Sequence, residues 1–205
     1  MRLLWRSLTA LSALTLAGCL AQHTGSPETW YAAHGGVAPQ RSDRVIVCHG
    51  FGCHLKTPVT LTAKDKRKMR RMLAGAATPA QERAKIAAFV AWAEKRVAPT
   101  VGSAGDVGGL DLHNARTPGQ MDCIDEASNT TSYLMVAAKA GLLRHHTIGK
   151  PVARGFFLDG RYPHATAVVV TKKGTPWAID SWPHANGVSP DVMPLATWYE
   201  RSRAS

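Results

Sequence analysis

Apolar residues recur with the three- and four-residue spacing of an amphipathic helix in the stretch that follows Thr78. Thr78 can cap this helix, Pro79 suits its first turn, and Gln81 can complete a capping box. Pro99 is expected to end it, because proline inside a helix removes a backbone hydrogen bond. The buried stripe should consist of Ile86, Phe89, Val90, Ala93 and Val97.

Two further helices are indicated by their ends. Thr62 and Asp65 have the spacing of a capping box, so a basic helix is expected over residues 63–74. Its many Lys and Arg residues could face a membrane, although a solvated face is the simpler interpretation. The other helix begins near Cys123, carries acidic residues in its first turn, and should run to about residue 140.

Short β-branched runs predict the strands. Residues 44–48 and 55–61 should form a hairpin, with Pro58 directing its strand towards a sheet edge. Further strands are expected at residues 152–158, 164–171 and 176–182, and a final short helix at 195–201. Residues 43–205 are therefore expected to fold as one α+β domain, with helices packed on an antiparallel sheet.

Two stretches lack an apolar period. Residues 22–42 are polar and contain several Gly and Pro residues, which predicts a flexible tether. Residues 100–120 form a long glycine-containing loop, and such loops are often functional. No Lys-Ser/Thr pair and no helix start follow its glycines as a phosphate-binding loop requires, so nucleotide binding is rejected.

The first 18 residues have the composition of an export signal. Arg2 and Arg6 precede an apolar stretch over residues 8–17, which is too short for the ~20 apolar residues of a membrane-spanning helix. The ending Leu-Ala-Gly before Cys19 resembles the lipobox of bacterial lipoproteins. That resemblance implies cleavage before Cys19, acylation of Cys19 with fatty acids such as palmitate, and a lipid anchor. The alternative is an ordinary secretory signal.

The net charge and the expected export signal together limit which molecules the protein can bind. The chain has 25 Lys and Arg against 14 Asp and Glu, a formal net charge of +11. This excess favours anionic neighbours such as phospholipid headgroups or an acidic envelope polymer. An export signal argues against nucleic acid. Leu20 after the lipidated cysteine gives no sign of inner-membrane retention, so we expect a protein that faces the periplasm, at the outer membrane by preference.

The remaining cysteines suggest one disulfide and one free thiol. Cys48 and Cys53 flank a four-residue loop and can pair across a hairpin in an oxidising compartment. A metal site with His49 and His54 is the weaker alternative, because ligands so close in sequence converge poorly on one tetrahedral ion. We therefore expect no metal, and Cys123 is left unpaired.

Three residues in chain order suggest nucleophilic catalysis. Cys123 at a helix start would have a lowered thiol pKa and would act as the nucleophile. His164 in one strand would act as the base, and Asp180 in the next strand would orient the imidazole. A turn at residues 172–174 would bring the two strands together. Each residue taken alone has a simpler structural explanation, above all Cys123 as a buried core thiol.

This order resembles the transglutaminase-like cysteine hydrolase superfamily, including the bacterial transglutaminase-like cysteine proteinases. The resemblance covers about a third of the chain and is carried by residues 121–126 (MDCIDE), 163–169 (PHATAVV) and 177–182 (WAIDSW). It implies a transglutaminase-like, papain-like fold in which the helix headed by the nucleophile packs on an antiparallel sheet. Gln120 is a candidate for the oxyanion hole beside the backbone amide of Cys123.

The expected activity is acyl transfer from a peptide or isopeptide amide through a thioester, with no cofactor. The expected substrate is a peptide or protein of the cell envelope. Transfer to an amine instead of water, and cleavage of peptidoglycan peptides, are enzyme alternatives that the three residues cannot distinguish. A catalytically silent lipoprotein that binds an envelope partner is the alternative of another class.

Overall fold

The computed structural model describes residues 21–109, 113–155 and 163–201. The expected signal peptide and the lipidation site at Cys19 lie outside these residues. The described part of the chain combines helices with two antiparallel sheets, which confirms the α+β class. None of its helices has the length and apolar character that crossing a membrane requires.

The described residues form five α-helices, and the predicted caps define the starts of two of them. Thr62 accepts a hydrogen bond from the amide of Asp65 in a capping box, and Thr78 accepts one from the amide of Gln81. The helices are α1 (Pro27–His34), α2 (Ala63–Leu73), α3 (Pro79–Val101), α4 (Cys123–Lys139) and α5 (Leu195–Glu200).

The prediction that α3 ends at Pro99 is wrong, because the helix continues to Val101. A proline costs the helix one hydrogen bond, and the last turn can tolerate that loss. Gly102 then adopts a left-handed conformation with φ of 85° and donates its amide to the carbonyl of Ala98. The true stop signal is therefore this glycine.

The two sheets lie on different parts of the chain. Strands β1 (Arg44–His49) and β2 (Leu55–Thr60) form the predicted hairpin. A four-stranded sheet follows, in the order β3-β4-β5-β6, and each strand pairs antiparallel with the next. Its strands are β3 (His146–Arg154), β4 (His164–Thr171), β5 (Pro176–Asp180) and β6 (Asp191–Pro194).

Helix α4 lies at the centre of the molecule and contacts both β1 and β4. Almost every side chain along it is buried, including polar ones, because it is surrounded by the two sheets and α3. The main core includes Phe89 of α3, Leu134 of α4, and Val169 and Ile179 of the four-stranded sheet. The start of this enclosed helix, where Cys123 lies, is therefore held from several sides.

The prediction of a flexible tether over residues 22–42 is wrong for its central part. Ser26 caps helix α1, and Trp30 and Tyr31 on this helix are 4% and 3% exposed. The Trp30 Nε1 donates to Ser128 Oγ at 2.9 Å, and the Tyr31 hydroxyl donates to the Ser128 carbonyl at 2.9 Å. Two aromatic side chains anchor a segment whose other residues are mostly polar.

The predicted disulfide is confirmed, since Cys48 and Cys53 are bonded with Cα atoms 4.5 Å apart. Replacing both cysteines with serine should lower the free energy of unfolding by about 2 kcal/mol, because a short loop loses its constraint in the unfolded chain. Urea unfolding of the double variant, and of wild type with and without reductant, measures this. Equal stability of all three samples would contradict it.

Candidate active site

The start of helix α4 is fixed by two carboxylates. Asp122 is the N-cap and accepts a hydrogen bond from the amide of Asp125 at 2.9 Å, within a reciprocal capping box. The sequence Asp-Cys-Ile-Asp favours this start, because short acidic side chains satisfy the first free amides of a helix. Cys123 is consequently the first residue of α4.

The same carboxylates hold the disulfide loop against the helix start. Asp125 accepts hydrogen bonds from the amides of Phe51 at 2.8 Å and Cys53 at 2.6 Å, and Asp122 accepts one from Gly52 at 3.0 Å. These bonds retain left-handed backbone at Phe51 and Cys53, with φ of 69° and 57°. No local sequence pattern indicates this clamp, which joins residues about 70 positions apart.

His164 and Asp180 are brought together as predicted. His164 Nε2 lies 2.7 Å from Asp180 Oδ2, and both side chains are buried. Residue Ala167 pairs with Ile179 in the β4–β5 ladder, and the continued register places Thr166 opposite Asp180. His164 is therefore a diagonal neighbour of Asp180 on one face of the sheet.

A tryptophan that sequence reasoning missed completes this pair. Trp198 on α5 is fully buried, and its Nε1 donates to Asp180 Oδ2 at 2.8 Å. Its ring also lies 5.4 Å from the imidazole of His164, and the ring of Trp182 lies 4.5 Å from the imidazole. Two indoles therefore pack around the imidazole, while the carboxylate accepts two N–H groups at one oxygen.

This arrangement selects the tautomer of His164. Nε2 carries the proton that is donated to Asp180, so Nδ1 keeps its lone pair. Nδ1 is buried, and in the described part of the chain it has no hydrogen-bond partner. An oriented neutral imidazole with a free acceptor nitrogen is the form that a general base requires.

Cys123 lies close to the backbone on both sides of His164. Its Sγ is 3.9 Å from the carbonyl oxygen of Pro163, and it interacts with the backbone of Ala165. It shares a buried cluster with Trp30 and Trp182. Within the described residues, the thiol makes no hydrogen bond to the imidazole. The structure therefore places the thiol next to the His164 segment without joining the two functional groups.

The expected low pKa of the thiol is not found. Burial, followed by the charges of Asp122 and Asp180, raises the pKa of Cys123 to about 12. Position at a helix start lowers a thiol pKa only where the group is solvated enough to ionise. The 9% exposed Cys123 is enclosed and faces negative charge, so it is un-ionised at neutral pH.

Gln120 has its side chain directed at the preceding loop. Its Nε2 donates to the carbonyl of Gly105 at 3.0 Å, and its Oε1 accepts from the amide of Val107 at 3.3 Å. Its backbone carbonyl accepts from Gly50 at 2.6 Å. The amide thus stabilises the long loop before Cys123, and its predicted oxyanion role stays a prediction.

Buried acids lie behind the site. Glu126 accepts a hydrogen bond from Ser181, the residue after Asp180, at 2.7 Å, and Glu94 accepts one from the amide of Gly187 at 2.7 Å. Burial, followed by the charges of Glu94 and Asp106, raises the pKa of Glu126 well above its ordinary value. Burial, with the charge of Asp106, raises the pKa of Glu94 to about 7. Glu94 lies on the buried side of α3. A carboxylate at a buried helix position is the feature of the sequence from which this group of buried acids could have been predicted.

Cys48, Cys53 and Asp125 place ligand atoms within 4.8 Å of one another. Zinc binds thiolates, and both sulfurs are used in the disulfide, so this group could hold a metal only after reduction. His49 is a candidate ligand of the alternative metal site. Its Nδ1 accepts a hydrogen bond from the amide of Gly119, and its Nε2 contacts the hydroxyl of Thr57. The disulfide is thus the role that the structure assigns to both cysteines.

Replacing Trp30 with alanine should speed alkylation of Cys123 by iodoacetamide about tenfold or more, because it uncovers one side of a buried thiol. The rate is measured by mass spectrometry of the Cys123 peptide in the native protein. Tyr31→Phe on the same helix removes hydrogen bonds to Ser128 and Ser132 but keeps the ring, so its rate should stay near wild type. Equal rates in Trp30→Ala and wild type would contradict the covering role of Trp30.

The chain matches no family model, and no curated protein or solved structure matches it. The interpretation of the site consequently depends on the side chains and their geometry. The transglutaminase-like resemblance stays an expectation drawn from three short pieces of sequence. The chemical argument rests on a buried imidazole–carboxylate pair beside a free thiol.

Proposed function

We propose that this protein transfers acyl groups from amides through a thioester on Cys123, with hydrolysis of a peptide or isopeptide bond as the simplest outcome. The observation that carries the proposal is the buried His164–Asp180 hydrogen bond of 2.7 Å, with Nδ1 of the imidazole left without a hydrogen-bond partner among the described residues. A catalytic base needs this orientation, whereas a structural histidine uses both ring nitrogens where it can. The proposal includes the transglutaminase-like fold.

Each residue has a defined role in the reaction. His164 Nδ1 accepts the thiol proton of Cys123 as the sulfur attacks the amide carbonyl, and the imidazole then gives that proton to the leaving amine. Water, deprotonated by the same nitrogen, then attacks the thioester, the C–S bond breaks to release the acid, and the imidazole returns the proton to the Cys123 sulfur. Burial raises the pKa of the Cys123 thiol to about 12, so the proposed reaction relies on His164 to take the thiol proton. Asp180 holds the tautomer and stabilises the imidazolium.

The thiol and imidazole must approach each other for this chemistry. Cys123 contacts the backbone of Pro163 and Ala165, the chain neighbours of His164, and the proposal requires the two side chains to turn towards each other. Catalytic hydrogen bonds are often long in the absence of substrate and tighten in the complex. The backbone amide of Cys123, with Gln120 as a further candidate, would stabilise the oxyanion.

The proposed setting is the bacterial cell envelope. The lipobox-like sequence at Cys19 supports a lipid anchor, and a periplasmic location, at the outer membrane by preference, supports peptides or proteins of the envelope as substrates. The formal charge of +11 is compatible with a surface of anionic lipid or polymer. No cofactor enters the proposed reaction, since the thiol, imidazole and carboxylate supply its proton transfers.

A second candidate function is favoured by one observation. The thiol is 9% exposed and makes no hydrogen bond to the imidazole in the described part of the chain, which fits an inert core cysteine. The protein would then be a catalytically silent lipoprotein that binds an envelope partner. The two candidates differ in whether His164 changes the reactivity of Cys123.

Peptide and muropeptide hydrolysis by the full-length chain in non-ionic detergent tests the proposal. Wild type should release new amines, and Cys123→Ala and His164→Ala should release none. His54→Ala serves as the control, because this exposed histidine lies outside the site. A primary alkylamine added to the assay separates the two outcomes by product, since transfer yields the substituted amide and hydrolysis yields the free acid. Equal activity in wild type and Cys123→Ala would refute the proposal.

A further inference from the structure

A basic cleft lies where the start of α3 meets the turn between β4 and β5. Its volume is about 470 Å³, and its walls include Arg83, His145, Lys172, Lys173 and Trp177. This volume falls within the range of ~300–1,000 Å³ that is usual for small-molecule sites. No acidic side chain is among the residues that line it. Such a cleft attracts anions.

Arg83 is held in a fixed orientation inside this cleft. Its guanidinium carbon lies 3.5 Å from the ring centroid of Trp177, and its Nη1 is 3.3 Å from His146 Nε2. Stacking on an indole and a bond to a neutral ring nitrogen orient the guanidinium without neutralising it. In the described ranges, neither Arg83 nor Lys172 and Lys173 forms an ion pair with a carboxylate.

Glu82, the chain neighbour of Arg83, does not face the cleft and so does not offset the positive charge of the cleft. Glu82 is fully buried and accepts hydrogen bonds from the amides of Arg144 and His145 and from His146 Nδ1, at 2.5, 2.8 and 2.7 Å. These bonds make Glu82 part of the support beneath Arg83. They also place His146 in the neutral tautomer whose Nε2 accepts from Arg83.

We propose that this cleft binds a small molecule or headgroup through a phosphate group. A fixed guanidinium with two lysines at the rim suits a phosphate group, whether the dianion of a monoester or the monoanion of a diester, because the fork of the arginine can donate two parallel hydrogen bonds while the lysines supply point charges. The cleft exceeds the size of a lone phosphate ion, so it has space for the organic part of a phosphate ester. The source of the phosphate is either a soluble metabolite or an anionic phospholipid.

The cleft is separate from the candidate active site. Trp177 and Asp180 lie three residues apart on β5, and residues at that spacing point to opposite faces of a sheet about 10 Å apart along the strand. Trp177 packs towards the main core with α3, whereas Asp180 bonds Trp198 of α5. Phosphate binding therefore does not depend on the proposed acyl transfer.

Calorimetric titration of the full-length chain in non-ionic detergent tests this proposal. The soluble probe is sn-glycerol 3-phosphate, and the lipid probes are detergent micelles that contain either phosphatidylglycerol or phosphatidylcholine. Arg83→Gln and the double variant Lys172→Gln/Lys173→Gln should each weaken binding about tenfold or more. Lys64→Gln/Lys68→Gln on α2 removes the same charge as the double variant but lies outside the cleft, so its affinity should stay within about twofold of wild type.

Binding of glycerol 3-phosphate that is lost in both cleft variants supports a soluble phosphate ester. Binding restricted to phosphatidylglycerol micelles, with the same loss, supports a lipid headgroup. The exposed lysine pair leaves the buried support of Arg83 intact, so misfolding of Arg83→Gln cannot hide the result. Equal weakening in the α2 variant, or binding to none of the phosphate probes in wild type, would overturn the proposal.

Discussion

Replacing Asp180 with asparagine should slow amide hydrolysis by about 10³- to 10⁴-fold while the protein stays folded. The Asp180 carboxylate accepts the Nε2 proton of His164 at 2.7 Å. An asparagine amide that donates to Nε2 would require the proton on Nδ1, and the imidazole would lose the lone pair that accepts the thiol proton. The change is nearly isosteric, so it alters a tautomer and leaves packing unchanged.

Steady-state kinetics of Asp180→Asn against wild type measures this effect, and circular dichroism checks the fold. Trp198→Phe is the companion variant, because it removes the second N–H donor to Asp180 Oδ2 but keeps an aromatic ring. The rate of amide hydrolysis should fall less in Trp198→Phe than in Asp180→Asn, by about tenfold, and the pH profile of the rate should shift. Full activity of Asp180→Asn would exclude the proposed role of this carboxylate.

Replacing Glu126 with glutamine should raise the free energy of unfolding by about 1–3 kcal/mol at pH 8. Burial and the charges of Glu94, Asp106 and Asp125 raise the pKa of Glu126 in the folded protein. The folded state therefore binds a proton more tightly than the unfolded state. Its stabilising effect is complete below the unfolded pKa of ~4.5 and is lost as pH rises through the folded pKa. Glutamine keeps an acceptor for Ser181 and removes the cost of ionisation.

Urea unfolding at pH 8 and pH 5 measures the difference between Glu126→Gln and wild type. The difference should shrink at pH 5, because a raised pKa favours the protonated form of Glu126 as the pH falls. Burial lowers the pKa of His146, which works in the opposite direction, but this contribution is common to both proteins and cancels. Glu200→Gln at an exposed position is the control and should change stability little. Destabilisation by Glu126→Gln at pH 8 would contradict this explanation.

The elements that depend on local sequence could be predicted. Capping residues predict the starts of helices α2 and α4, and β-branched runs predict the β1–β2 hairpin. The two cysteines that flank its loop predict the disulfide. The pairing of His164 with Asp180 was also accessible, because a short turn between antiparallel strands limits which residues can meet. Each of these features is decided by interactions between residues that are near in sequence.

Features that depend on distant contacts could not be predicted. Trp30 and Tyr31 lie in a polar segment, and their hydrogen bonds to Ser128 on α4 explain why the segment is ordered. Trp198 meets Asp180 because β6 and α5 return along the sheet, and no local pattern specifies that return. The thiol pKa of Cys123 was predicted with the wrong direction, because the helix start is visible in sequence but its burial is not.

The most direct test of the central claim is whether an acyl group becomes attached to Cys123 in the native full-length chain. The protein in detergent is mixed with an activated acyl ester, quenched in acid within the steady state, digested, and analysed by mass spectrometry. The account predicts an acylated Cys123 peptide in wild type and none in His164→Ala. Acylation that is absent from the native protein, or equal in wild type and His164→Ala, would contradict it.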